Sequence, residues 1–213
     1  LATLKSKHQR QFGFPLLALD STLLTSNRLK DNFSEYNSKM NAVKVHLMID
    51  AINSLPLTAT ITNGKTSDIS VARKMEFESG SMLLIDRGYF CPKWLKSLDN
   101  KGVFFIQRYR SGTVYTTLKE KCFEKSFENG SVRSDSTIQF MGDASQKYDD
   151  HLRMVEIYDD VKKETFMVIT NNFELPVETI AAFYKLRWQI ELIFKWLKQN
   201  MKMSRILGDS ENA

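Results

Sequence analysis

The chain has 213 residues, of which 42% are hydrophobic, 26% charged and 11% aromatic, and 30 basic against 25 acidic residues give a formal charge of +5. This is globular composition, enough for one large domain or one and a half small ones, and it excludes a fibrous, low-complexity or disordered chain. No stretch approaches the roughly 18 uninterrupted apolar residues of a membrane-spanning helix.

The opening segment, residues 1–14, is basic and polar (Lys5, Lys7, His8, Arg10) and lacks the apolar core of a signal peptide. Starting on Leu1 and stopping at Ala213, the chain reads as an excerpt of a longer protein. The two cysteines, Cys91 and Cys122, match no metal-ligand spacing and are too few for a disulfide framework, which favours a reducing, cytoplasmic setting. A mild positive charge is compatible with nucleic acid.

The first strand is predicted at residues 15–20, an apolar run closing on Asp20. A polar loop, residues 26–41, precedes a strand over 42–50, in which Val43, Val45, Leu47 and Ile49 face one way and Lys44, His46, Met48 and Asp50 the other. Residues 56–62 alternate again and end on the turn pair Asn63-Gly64. Ser67 and Asp68 offer N-caps for a helix reaching about Phe77. A second apolar run, residues 82–85, also closes on an acid, Asp86. Pro92 starts a helix to about Asn100, and a strand over 103–106 follows. From residue 108 to 172 short β-prone stretches alternate with charged turns, as in an all-β insertion of hairpins. One long helix is predicted from Pro176 to about Met203.

Ligands of open sheets collect at the carboxyl ends of strands, and two carboxylates delivered there would suit a hard divalent cation. Each aspartate alone also suits a strand cap facing water. On the long helix, Tyr184, Arg187, Glu191, Lys195 and Lys198 fall within roughly 80° of arc, beside an apolar face built from Phe183, Leu186, Ile190, Ile193, Phe194 and Leu197. A plain i,i+4 ion pair, Glu191 with Lys195, fits that spacing as well.

The spacing Tyr184-x2-Arg187-x3-Glu191-x6-Lys198 resembles the Tyr-Arg-Glu-Lys signature of the insertion sequence 4 family of DDE transposases. Leu19-Asp20-Ser21-Thr22 is similar to that family's first-aspartate strand, and Ile85-Asp86-Arg87-Gly88-Tyr89 to its second. The resemblance implies an α/β, RNase H-like fold: a mixed five-stranded sheet flanked by helices, its first three strands antiparallel, with a β-rich insertion before the last long helix. The divisions expected are a basic remnant at 1–14, the core at 15–107, the insertion at 108–172, and the returning core at 173–213 with the helix of the third acid.

It further implies a catalytic domain that cleaves DNA at transposon ends and transfers strands into target DNA. Asp20, Asp86 and Glu191 would be both the catalytic acids and the ligands of two Mg²⁺ or Mn²⁺ ions. Tyr184, Arg187 and Lys198 would contact DNA, with no histidine base required, so that His46 is left at most a supporting role. Trp188 and Trp196 could stack on bases but suit packing equally. The expected setting is the bacterial cytoplasm, nucleoid-associated when bound to DNA, and the expected assembly a homodimer holding two ends. The competing readings are a transposase-derived DNA-binding protein that no longer cuts and, more remotely, a nuclease of the same fold acting on RNA. Retention of all three acids favours the enzyme.

Overall fold

The computed structural model describes residues 13–26 and 41–200. The basic opening segment, the polar loop after residue 26 and the end of the long helix near Met203 therefore lie outside the described residues. The described residues divide into two compact units, one of residues 17–26, 41–75 and 187–200 and the other of residues 13–16 and 76–186.

In the first unit β1 (Leu16–Ser26), β2 (Asn41–Asp50) and β3 (Leu55–Asn63) pair antiparallel in the order β3-β2-β1. The apolar run before Asp20 is the first part of a longer strand. Asp20 pairs with Leu47 and pairing continues through Ser21 with His46 and Thr22 with Val45, so Asp20 lies mid-strand rather than at a carboxyl end. Because side chains alternate across a pleat, Asp20 and Ser21 point to opposite faces. The β2–β3 turn is held by Asp50, whose Oδ1 accepts from the amides of Ile52 and Asn53 at 2.9 and 3.0 Å. The short helix α1 (Asp68–Ala72) stops well before Phe77.

The second unit holds six strands in the order β4-β5-β9-β8-β7-β6. These are β4 (Met82–Ile85), β5 (Phe104–Arg108), β6 (Tyr115–Phe127), β7 (Gly130–Phe140), β8 (Leu152–Asp159) and β9 (Glu164–Thr170). β4 and β5 run parallel, joined through α2 (Pro92–Asp99), whose Pro92 lies in the first turn, where no amide bond is forfeited. All four β4 side chains are buried, and burying a residue of this kind stabilises by about 1.5–3 kcal/mol. A polar knot backs this core. Asp99 accepts from the Tyr148 hydroxyl at 2.8 Å and from Asn171 Nδ2 at 2.7 Å, while Asn171 Oδ1 accepts from the Phe105 amide at 3.0 Å.

Nine strands are described, not the five expected. Four of the nine, β6 to β9, lie within residues 108–172, the stretch expected to be rich in β structure. β9 returns antiparallel to β5, pairing Ile106 with Thr170 and Gln107 with Ile169, so the hairpins extend a mixed sheet from that edge. The architecture is mixed α/β.

The single long helix is also two: α3 (Val177–Leu186) belongs to the second unit and α4 (Trp188–Asn200) to the first, with a turn at Arg187. Across the interruption the backbone tightens, the Ile190 amide donating to the Arg187 carbonyl at 3.3 Å in an i+3 pattern.

Candidate active site

Asp20 is carried by β1 and Glu191 by the first turn of α4, where a carboxylate suits the positive end of the helix dipole. Between them lies Arg187, only 6% exposed. One guanidinium nitrogen, Nη1, is 3.6 Å from Asp20 Oδ2, and the other, Nη2, donates to Glu191 Oε1 at 2.5 Å. A single buried cation thus gathers two acids from opposite ends of the sequence. Desolvating an ion is costly, and two carboxylates offset that here. The other Asp20 oxygen accepts from the Ser21 amide at 2.8 Å, fixing the carboxylate against its own strand.

Beside the pair opens a cleft of about 480 Å³, lined by Asp20, Thr22, Glu191, Phe194, Lys195 and Lys198. Two carboxylates and two lysine ammonium groups therefore share one wall-and-floor arrangement. Phe194 gives it an apolar wall, 5% exposed, while Trp196 on the same helix is 58% exposed. The donors at Asp20 and Glu191 are all oxygen, the type preferred by Mg²⁺ and Mn²⁺, and their position already accommodates a cation in the form of the guanidinium. In charge and donor chemistry the residues fit a divalent ion. Among the described residues, no three His, Cys, Asp or Glu side chains cluster as a preformed cage.

Asp86 belongs to the other unit. It follows β4, is half-buried, and opens the 3-10 turn Arg87–Tyr89, its carbonyl accepting from the Tyr89 amide at 3.1 Å and from Gln107 Nε2 at 3.2 Å. Tyr184 also lies in that unit, on α3, 2% exposed, its ring 5.7 Å from that of Phe166. Of the six residues singled out from the sequence, Asp20, Arg187, Glu191 and Lys198 fall in one unit and Asp86 and Tyr184 in the other.

A second polar cluster was not anticipated. On the face of β1 opposite Asp20, Asp68 accepts from Ser21 Oγ at 2.8 Å, pairs with Lys44 Nζ at 3.1 Å and lies 3.7 Å from His46 Nδ1. His46 Nε2 meets Thr62 Oγ1 at 2.9 Å. Burial holds the His46 pKa below its ordinary value against the pull of Asp68, with Lys44 adding to the depression. The one sequence signal was Ser67-Asp68 as a helix cap, but Ser67 makes no side-chain cap bond and Asp68 turns to the strands instead. Asp68 ties β1 and β2 together directly beneath Asp20.

The transposase DDE domain model matches residues 11–213, and the chain belongs to that family. It is 28% identical over 215 residues to the putative transposase y4zB of Sinorhizobium fredii (strain NBRC 101917 / NGR234), covering 100% of this chain and 60% of that protein. It is 29% identical over 219 residues to the probable transposase for insertion sequence element IS5377 of Geobacillus stearothermophilus, covering 100% and 57%. The putative transposase for insertion sequence element IS4SA of Synechocystis sp. (strain ATCC 27184 / PCC 6803 / Kazusa) is 26% identical over 226 residues, covering 98% and 58%. These matches bear out the family resemblance drawn from the sequence. The chain spans less than two thirds of the length of each of these relatives. Among solved structures it is similar to a piggyBac transposase in a cryo-EM synaptic complex with hairpin DNA, at a TM-score of 0.52 and 11% identity over 85% of this chain and 40% of that one, a likeness of fold.

Proposed function

We propose that the chain is the catalytic core of a DNA transposase, with an RNase H-like sheet in β1 to β5, acting on transposon ends and target DNA as a homodimer in the bacterial cytoplasm. The observation that carries the reading is the Arg187 bridge, which brings Asp20 and Glu191 to one cation position although nearly the whole chain separates them. Membership of the DDE family supports the same reading. No helix among the described residues is long and apolar enough to cross a membrane.

Phosphodiester chemistry needs an in-line attack and neutralisation of the charge that repels the nucleophile. In this reading Asp20, Asp86 and Glu191 would hold two divalent ions, which would supply that neutralisation and activate a water or 3′-hydroxyl. The chain's own residues do the positioning. Lys198 and Lys195, on the cleft, attract the DNA backbone as point charges, and Arg187 offers a planar fork suited to phosphate. Phe194 gives the cleft its apolar side. Tyr184 would reach a phosphate only where its buried hydroxyl is uncovered. No histidine enters: His46 is occupied with Thr62 and Asp68 on the far face of β1.

The test is Mg²⁺-dependent cleavage of an oligonucleotide carrying the element's own end. Asp20→Ala, Asp86→Ala and Glu191→Ala are each expected to abolish cleavage while DNA binding persists. Wild-type cleavage by any one of them would remove that acid from the mechanism.

A further inference from the structure

The bridge has a geometry suited to competition. Arg187 reaches its two partners through different nitrogens and with unequal grip, 2.5 Å to Glu191 Oε1 and 3.6 Å to Asp20 Oδ2. The Nη1–Oδ2 contact with Asp20 is the longer of the two and lies beyond hydrogen-bond reach. The other partner, Glu191, sits in the first turn of α4, 49% exposed at the side chain, while the guanidinium beneath is 7% exposed. A buried arginine keeps its charge throughout the accessible pH range. Without a counter-cation, Asp20 and Glu191 would repel one another across this position, and the guanidinium removes that repulsion.

We infer that Arg187 is a resident counter-cation of the active site, which holds Asp20 and Glu191 together and which a divalent ion must displace from at least one carboxylate in order to bind. This rests on the proposed role of the two acids as metal ligands and adds a residue that opposes loading. Contact with Asp20 is the one to yield first, being the longer. Release of Asp20 opens the Nη1 side of the guanidinium, beside the lysine-lined cleft, to a phosphate in place of the carboxylate, so loading of the ion and docking of the backbone draw on one side chain. Ion and DNA backbone would then favour each other's binding through one side chain, and linkage makes that effect reciprocal.

The experiment titrates Mn²⁺ into the DNA-free chain, with free ion read by electron paramagnetic resonance. Wild type, Arg187→Ala, Arg187→Lys, Lys195→Ala and Asp20→Asn are compared, and circular dichroism checks that each folds. Arg187→Ala is expected to tighten Mn²⁺ binding at least about fivefold, the lower end of ordinary coupling between sites. Arg187→Lys keeps the charge but lacks the second nitrogen needed to span both acids, and should fall between. Lys195→Ala, a cation on the cleft outside the bridge, should change binding less than twofold; an effect equal to that of Arg187→Ala would reduce Arg187 to background charge and overturn the inference. Unchanged or weaker binding in Arg187→Ala overturns it too. Should Arg187→Ala not fold, the arginine side-chain Nε–H resonance of the wild type is followed as Mg²⁺ is added: movement supports displacement, and a fixed resonance at saturating ion refutes it. Asp20→Asn separates the two levels of argument. Mn²⁺ binding that is indifferent to Asp20→Asn sinks the metal-site reading itself. Binding that needs Asp20 and ignores Arg187 sinks the counter-cation alone.

Discussion

Replacing Arg153 tests how β7 and β8 are fastened to the segment that leads into α3. Its Nε and Nη2 form a bidentate pair with Asp135 at 2.8 and 2.9 Å, and its Nη1 donates to the Leu175 carbonyl at 2.6 Å. The residue thus joins β8 to β7 and to the chain two residues before the helix. Breaking a buried pair by removing one partner costs about 3–5 kcal/mol, because the other charge is stranded. The two orphans differ in exposure, however: the Asp135 side chain is 22% exposed and that of Arg153 9%. Water can reach Asp135 after Arg153→Met, so the expected loss is about 2–3 kcal/mol, below the full-burial range. Asp135→Ala strands the more buried guanidinium and should cost about 3–4 kcal/mol. The double variant should cost less than the sum by about 1.5–3 kcal/mol, as expected for contacting residues. Urea denaturation followed by circular dichroism measures all three, with Trp94, 4% exposed in the same unit, as a fluorescence reporter. Additivity within about 0.5 kcal/mol would refute the claim that the two charges are coupled in the fold.

Three further outcomes follow from the same reasoning. The depressed His46 pKa means that the unfolded chain binds a proton more readily than the folded one, so stability is complete above the unfolded value of 6.5 and is lost as pH falls below it. Urea midpoints at pH 8 and pH 5.5 should converge in His46→Gln, and an unaltered pH slope would remove His46 as the source. A Cβ added at Gly130 would lie 2.4 Å from the Tyr158 carbonyl oxygen and 2.8 Å from Phe127 Cζ, so Gly130→Ala should lower stability by about 1–3 kcal/mol; an unshifted melting temperature would contradict the pairing of Gly130 with Asp159. Lys198→Ala should flatten the salt dependence of DNA binding by about one counterion, measured by fluorescence anisotropy across a salt series, whereas an identical slope places Lys198 away from the backbone.

What could be read from the sequence followed local rules. The four apolar residues before Asp86 read as a buried strand, and β4 occupies residues Met82–Ile85 as expected. Strict alternation marked the strands over 42–50 and 56–62, while the antiparallel pairing of the first three was what the family resemblance implied. Long-range pairing decided the rest. Nothing in residues 108–172 says that β9 will lie against β5, because an edge that accepts another strand looks like any other strand. The interruption at Arg187 was hidden for a related reason: the apolar spacing from Phe183 to Leu197 runs through it with neither Pro nor Gly to mark a stop. The turn coincides with the residue whose side chain satisfies Asp20 and Glu191, a tertiary demand that outweighs helical periodicity. Asp68 escaped notice for the same cause, since its partners Ser21, Lys44 and His46 meet it only in the folded chain.

The outermost strand of the second unit, β6, ends the hydrogen-bonded series with nearly every side chain exposed and two irregularities in its register, between Thr117 and Lys119 and between Cys122 and Lys125. Its run Lys119-Glu120-Lys121 and the later Glu124-Lys125 place both signs of charge along that border. A foreign strand laid alongside would have to desolvate those ions and follow a kinked backbone. The border therefore behaves as a selvedge: the weave finishes there, and the protein can carry a broad β surface without knitting itself to its neighbours.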